Sequence, residues 1–425
     1  MPLKDDIYKF CIELFPICRS ITGNGVRQTL KIIASHLPDL KIYEVPTGTK
    51  AYDWSVPKEW NISDAYIIDP QGNKIIDFKK SNLHVVGYSK PVNRLMTLDE
   101  LQKHLHSLPD QPNAIPYITS YYQDYWGFCL TDNQRKSLEP GTYQVVIDSE
   151  LKDGHLTYGE WILPGKSKKE IFISTYICHP SMANNELSGP AVTTYIARWL
   201  KSLPTPNYTY RIVFIPETIG SIVYLSRNFD TMKERIISGF NVTCIGDDRA
   251  YSYLASRYGN TLADQVAQHV LKHTHPNYDR YSYLDRQSDL RQYCSPGVDL
   301  PMVTLMRSKY GEYPEYHTSL DNLDLISTDG LFGGFTVLKR CIECLEHNET
   351  LKVTVRCEPQ LGKRGLYPNL STKENKLIVQ NMMNLIAYCD GSNDLLSVAE
   401  IIGVPMWELY EIVFNLKENG LLIPL

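Results

Sequence analysis

Three short segments carry residues whose types and spacing could do chemistry: CHPSMANNELSGPA at 178–191, FIPETIGS at 214–221 and YPEYHTSLDNLDLI at 313–326. They hold two imidazoles, His179 and His317, and one carboxylate, Glu217, with Asn185 and Glu186 in the turn after His179 as further candidate metal ligands. Two histidines and a carboxylate can hold one zinc ion and leave a position open for water. A carboxylate beside such a water is the arrangement for metal-assisted hydrolysis of an amide. Structural roles are open at the same positions. His179 precedes a proline, Glu217 could cap the helix that follows it, and Asn185 and Glu186 could simply make a turn. A Glu217 that ligates a metal would also no longer be free as a base, and both roles stay open.

Other polar residues near these segments invite a binding role. Tyr316 precedes His317 in a loop rich in Tyr and Glu. Arg307 could pair with a substrate carboxylate or phosphate, or form a surface ion pair. Asp247 and Asp248 could receive a substrate amine, or make a solvated turn. Asp53, Trp54 and Trp60 could form an aromatic platform for carbohydrate, or pack in a core.

The elements that must position these groups can be read from hydrophobic periodicity. Between about 165 and 345, the apolar runs KEIFISTYICHP, TYRIVFIPETIGS and GFNVTCIGDD alternate with helical patterns. Buried strands separated by helices predict an α/β fold with a mixed, mostly parallel sheet sandwiched by helices. Ligands bind beyond the C-terminal ends of such strands, which is where His179, Glu217, Asp247 and Asp248 fall. Two helices are expected before about 38. From about 40 to 150, short alternating runs and the hairpin signal DPQGNK predict an inserted, mainly β domain rich in Tyr and Trp. From about 350 the pattern is helix, a turn at Gly403-Val404-Pro405, helix and a short strand, a winged-helix arrangement. The expected division is 1–38 with 160–348, 39–159, and 349–425.

On these segments the chain resembles the co-catalytic zinc aminopeptidases and the glutaminyl cyclases of their superfamily. His179 aligns with the first metal-binding His of that pattern, and Asn185-Glu186-Leu187-Ser188-Gly189 with its D-N-x-S-G turn. Glu217 aligns with the general base, Asn241-Val242-Thr243 with an N-x-D strand end, and His317-Thr318 with Asp321 with the late H-T-x-x-D motif. The resemblance also implies a pocket-lining loop at Asp289, Arg291 and Tyr293. Three positions depart from it: Asn185 replaces the bridging Asp, Thr218 the second Glu, and Thr243 the strand-end Asp. Without those anions one zinc ion is expected rather than two. CRSITGNGVRQTL, GTKAYDWSVPKEWNI, LHVVGYSKPV, WGFCL and SDLRQYCSPGVDLP make the chain similar to a narrower bacterial family. Its members are aminopeptidase-like proteins with an inserted β domain and a winged-helix tail, whose genes often accompany polysaccharide-biosynthesis genes.

Bulk properties narrow the partners. The net charge of −5 provides no basic field for nucleic acid or anionic lipid. In the tail from 350, seven Lys and Arg face eight Asp and Glu, so nucleic acid is not an expected partner. No run of 18 apolar residues occurs and the start does not read as a signal peptide, so a cytoplasmic protein without a membrane partner is expected. The ten cysteines include one CxxC, Cys341 and Cys344, inside a helical pattern, which reads as reduced core thiols. The functional expectation is a metallo-aminopeptidase-like hydrolase of a small peptide or a modified-sugar/peptide metabolite. The alternatives are an inactive binding or scaffold protein, or, through the winged helix, a transcriptional regulator. A homo-oligomer through the winged helix or the insert is a further expectation.

Overall fold

The computed structural model describes residues 2–366 and 373–425. Its centre is an eight-stranded sheet in the order 41–46, 155–163, 209–215, 170–176, 236–242, 302–306, 252–254, 279–281. The four middle strands run parallel, antiparallel pairs join 41–46, 155–163 and 252–254 to them, and the edge strand 279–281 pairs parallel to 252–254. The middle of the sheet is covered on both faces, so Glu170–Tyr176 is buried at every position. This is why its sequence lacks polar alternation. Among the helices are Pro2–Leu14, Asn24–His36, Ser188–Ser202 and Ile219–Arg235. Pro2–Leu14 buries Ile7, Phe10, Cys11 and Leu14, a spacing that places them on one face.

The inserted segment builds a second, four-stranded antiparallel sheet from Lys74–Asp77, Glu59–Ile68, Thr142–Lys152 and Val92–Thr97. Its first hairpin turns at Asp69-Pro70-Gln71-Gly72-Asn73, where the Asp69 carboxylate accepts the Gln71 and Asn73 amides at 3.0 and 2.7 Å. Gly72 supplies the positive φ of 88° that the turn needs. The insert is shorter than 39–159. Lys41–Pro46 and His155–Leu163 pair with each other in the central sheet, from Lys41 opposite Glu160 to Pro46 opposite His155. The chain therefore leaves the main sheet after 46 and returns at 155.

Two compact units result, 1–264 with 279–336, and 265–278 with 337–425. The second takes in 265–278 and 337–348 beside the expected 349–425, because two further helical stretches are tied into it. Met406 donates its amide to His269 Nε2 at 2.9 Å, Glu400 accepts from Lys272 at 2.9 Å, and His347 stacks on Tyr410 at 4.0 Å. Within it, helices Leu395–Ile402 and Tyr410–Glu418 flank the turn at Gly403, whose φ is +75°. Strands Thr350–Val353, Asp390–Asp394 and Leu422–Pro424 form its sheet. Cys341 and Cys344 are free, buried thiols. No described helix is long and apolar enough to cross a membrane.

Candidate active site

The parallel strands deliver their C-terminal ends to one edge of the sheet. His179 follows Glu170–Tyr176, Glu217 follows Thr209–Ile215, and Thr243 follows Ile236–Val242. A cleft of about 340 Å³ opens there, walled by His179, Glu217, His317, Arg291 and tyrosines of the insert. A second chamber of about 200 Å³ shares Glu217 and Arg291 with it and is lined by Tyr176, Tyr310 and Tyr316. His179 Nε2 lies 3.7 Å from Glu217 Oε2. The His179 and His317 ring centres are 5.5 Å apart, with Tyr117 edge-on to both at 5.3 and 5.1 Å. Tyr316 stacks on His317 at 3.9 Å.

His179 is held from behind. Glu186 Oε2 accepts its backbone amide at 2.9 Å and lies 2.8 Å from its ring Nδ1. A carboxylate there requires the proton on Nδ1, which turns the Nε2 side toward Glu217. Arg19, 1% exposed, donates to the His179 carbonyl at 2.8 Å and lies 3.2 Å from Glu186 Oε1. Burial opposes a charged His179, but the Glu186 carboxylate outweighs it and raises the imidazole above its usual range. His317 has no such partner. Burial, aided by His179, lowers it to about 3, so it is a neutral imidazole. Its buried Nε2 has no hydrogen-bond partner among the described residues.

Backbone strain collects around the two chambers. Tyr122, Thr218, Ser288 and His317 all line them and have φ between 52° and 64°. Such conformations cost non-glycine residues on the order of 1–3 kcal/mol each and persist where the surroundings enforce them. At Thr218 the enforcement is visible. Its amide donates to Asp289 Oδ1 at 2.7 Å, and its hydroxyl accepts from Arg291 Nη2 at 2.6 Å. Burial, with the nearby Glu217 charge, raises the Asp289 carboxyl to about 7.

Two imidazoles and a carboxylate are the right kinds of donor for one zinc ion, and the buried His317 Nε2 has no other partner among the described residues. Zinc-bound donors sit roughly 3.3 Å apart, close to the 3.7 Å between His179 and Glu217. His317 is set back, so the three donor atoms do not all fall within 4.8 Å of one another. The set therefore matches one ion in the kind of its donors, while its spacing is wider than a closed zinc shell. A second ion has no anionic seat: Asn185 Oδ1 and Thr243 Oγ1 both bond the Tyr176 hydroxyl. Cys178, His179 and Glu186 also bring ligand atoms within 4.8 Å. There the carboxylate already bonds Nδ1, and the Cys178 sulfur accepts the Glu217 amide at 3.1 Å.

Several expected site residues stand elsewhere. Glu186 is behind His179, on the Nδ1 face, rather than beside Glu217 as a ligand. Asn185 and Asp289 are buried and lie outside the cleft lining, Asn185 against Tyr176 and Asp289 beneath Thr218. Asp248 is exposed and lies outside the cleft lining. Asp247 is consumed by Asn184 Nδ2 and by the Ser308 amide and hydroxyl. Tyr293 is fully buried, its hydroxyl 2.9 Å from Ser174, because its ring packs on Phe172 in the core. Arg307 turns to the carbonyls of Ala250 and Gly330 and stacks on Tyr251. Trp60 is 4% exposed and stacks on Tyr88, whereas Trp54 does line the cleft. Tyr117, Tyr121 and Tyr176 were missed as individual site residues, although the first two belong to the aromatic-rich stretch noted in the insert. Arg19 was also missed, though it lies in the CRSITGNG segment.

A family model described as a domain of unknown function (DUF4910) matches residues 8–348, and a winged helix-turn-helix model matches 349–424. A Clostridium acetobutylicum protein, provisionally named for polysaccharide biosynthesis with an aminopeptidase-like domain, is 48% identical over 396 residues, 93% of this chain and 90% of its own. A solved structure from Clostridium acetobutylicum, provisionally called a peptidase, superposes with a TM-score of 0.93 at 45% identity, over 99% of this chain and 96% of its own. A zinc aminopeptidase of Bacillus subtilis shares the fold alone: TM-score 0.57 at 12% identity, over 80% of this chain and 94% of its own. The chain therefore belongs to the family described as a domain of unknown function (DUF4910), on an aminopeptidase-like α/β fold that ends in a winged helix-turn-helix.

Proposed function

We propose that this protein hydrolyses an amide bond in a small peptide or a modified-sugar/peptide metabolite, during the biosynthesis of a surface polysaccharide. One observation carries the reading: His179 Nε2 faces Glu217 Oε2 at 3.7 Å in a cleft that His317 also walls. The name given to the 48% identical relative supports the biosynthetic setting. Glu217 takes a proton from the attacking water and returns it to the leaving amine. Glu186 and Arg19 keep His179 aimed at that exchange. His179 and His317 would hold one zinc ion, with Glu217 close to its water. Bound there, zinc would polarise the amide carbonyl and acidify the water.

The test is metal analysis of purified protein beside amidase assays of the wild type and Glu217→Gln. The expected result is one zinc per chain and a loss of turnover of about 10²–10⁴-fold in Glu217→Gln. Zinc retained in the variant marks Glu217 as base, and zinc lost marks it as ligand. Absence of stoichiometric metal together with unchanged turnover in Glu217→Gln would overturn the reading. A binding or scaffold role is the second reading. It is favoured by Asn185 and Thr243, neutral groups satisfied by Tyr176 where the resemblance expects anionic ligands.

A further inference from the structure

We infer that the cleft selects substrates whose amine is already acylated and which carry a carboxylate near the scissile amide, with Arg291 as its anchor. The inference rests on the hydrolase reading and names its substrate class.

The charges around the two chambers carry the argument. Glu217 is the sole carboxylate among their lining residues, and it faces His179. A peptide with a free N-terminus brings an ammonium into this space, and desolvating that charge requires an anionic partner. The candidates are spent or absent. Asp247 is saturated by Asn184 and Ser308, Asp248 lies outside the lining, and Asp289 is buried beneath the Thr218 amide. The cationic side is provided for instead. Arg291 lines both chambers, and its one hydrogen bond among the described residues goes to the Thr218 hydroxyl at 2.6 Å. It forms no ion pair among them, so most of its fork remains for a ligand. The geometry that presents it is imposed, since Thr218 is held at φ +64° between Asp289 and Arg291. A guanidinium fork matches a carboxylate bidentately. A single negative charge suits a site shared with Glu217 better than a doubly charged phosphate does. The aromatic walls, Trp54, Tyr117, Tyr121 and Tyr122, suit an apolar or acylated amine and provide no carboxylate for an ammonium.

The test uses full-length protein and two small probes at neutral pH: N-acetylglycine, blocked and anionic, and glycinamide, free-amined and without a carboxylate. Isothermal titration is expected to show N-acetylglycine binding at least tenfold more tightly. Arg291→Gln should lose at least tenfold of that affinity and Arg291→Lys should recover part of it. Arg291 is exposed, so circular dichroism should confirm that both variants fold. Glycinamide binding as tightly as N-acetylglycine, no binding of either, or an Arg291→Gln variant with unchanged affinity would overturn the inference. The parent reading is tested separately, by cleavage of N-acetylglycylglycine and glycylglycinamide. If N-acetylglycine binds through Arg291 while neither amide is cleaved, the anchor stands and hydrolysis falls. If free-amine amides alone are cleaved, and Arg291→Gln leaves that rate unchanged, the anchor falls and hydrolysis stands.

Discussion

Replacing Glu186 with glutamine tests whether the site is built from behind. The side chain is fully buried and meets the His179 amide, the His179 ring and Arg19. Arg19 is equally enclosed, and its other contacts are the neutral His179 and Leu14 carbonyls and the Thr29 hydroxyl. The substituted amide would keep the size but remove the charge, leaving a buried guanidinium without its counter-ion. Breaking one partner of a buried pair costs about 3–5 kcal/mol. For a unit of this size, that is roughly 5–8 °C in melting temperature. Urea denaturation followed by circular dichroism, with Arg19→Met and the double variant alongside, measures the coupling. The double variant should cost at least about 2 kcal/mol less than the sum of the singles. A Glu186→Gln loss below about 1 kcal/mol, the range of an exposed pair, would refute the argument that this carboxylate is the fixed charge holding His179.

Two further outcomes follow from features outside the cleft. Burial opposes ionisation of Glu59, but hydrogen bonds from Arg27, Asn61 and His155 prevail and lower it from 4.5 to about 2. Its contribution is therefore present above the unfolded value and is lost as pH falls from about 4.5 toward 2. Glu59→Gln should lower stability at pH 7 by about 1 kcal/mol after allowance for solvent screening of its Arg27 partner, and the gap from wild type should shrink in acid unfolding at pH 2–3. A gap independent of pH would refute the assignment. Gly23 sits at φ +97°, where an added Cβ would meet the Trp60 carbonyl oxygen at 2.1 Å. Gly23→Ala should cost about 2 kcal/mol or more by thermal melting, and a neutral result would refute the strain.

Much of the architecture was legible because hydrophobic period and strand ends are local signals. The run EIFISTY, short and rich in β-branched and aromatic residues, reads as a buried strand, which places His179 just past its end. Sequence alone places Lys41–Pro46 in the insert, because its membership of the central sheet depends on pairing with His155–Leu163, more than a hundred residues away. The same distance effect governed the site. His179, Glu217 and His317 could be anticipated from their motifs, but the orientation of a side chain could not. Asp247 and Asp248 are neighbours in sequence, yet one is saturated inside and the other points outward. Arg307 and Arg291 are equally polar in sequence. Only packing shows that the first is consumed by backbone carbonyls while the second lines the cleft.

Tyr117 comes from the insert, yet its amide donates to the His317 carbonyl at 2.8 Å, and Pro116 bridges to Thr318. The insert is thus a wall of the candidate cleft, and two stretches of chain evolving at separate places must stay matched there. Shortening or grafting the loop around 116–122 would reshape the floor on which the second histidine rests. In this family, altered selectivity should arise by exchange of that loop while the parallel sheet beneath stays unchanged.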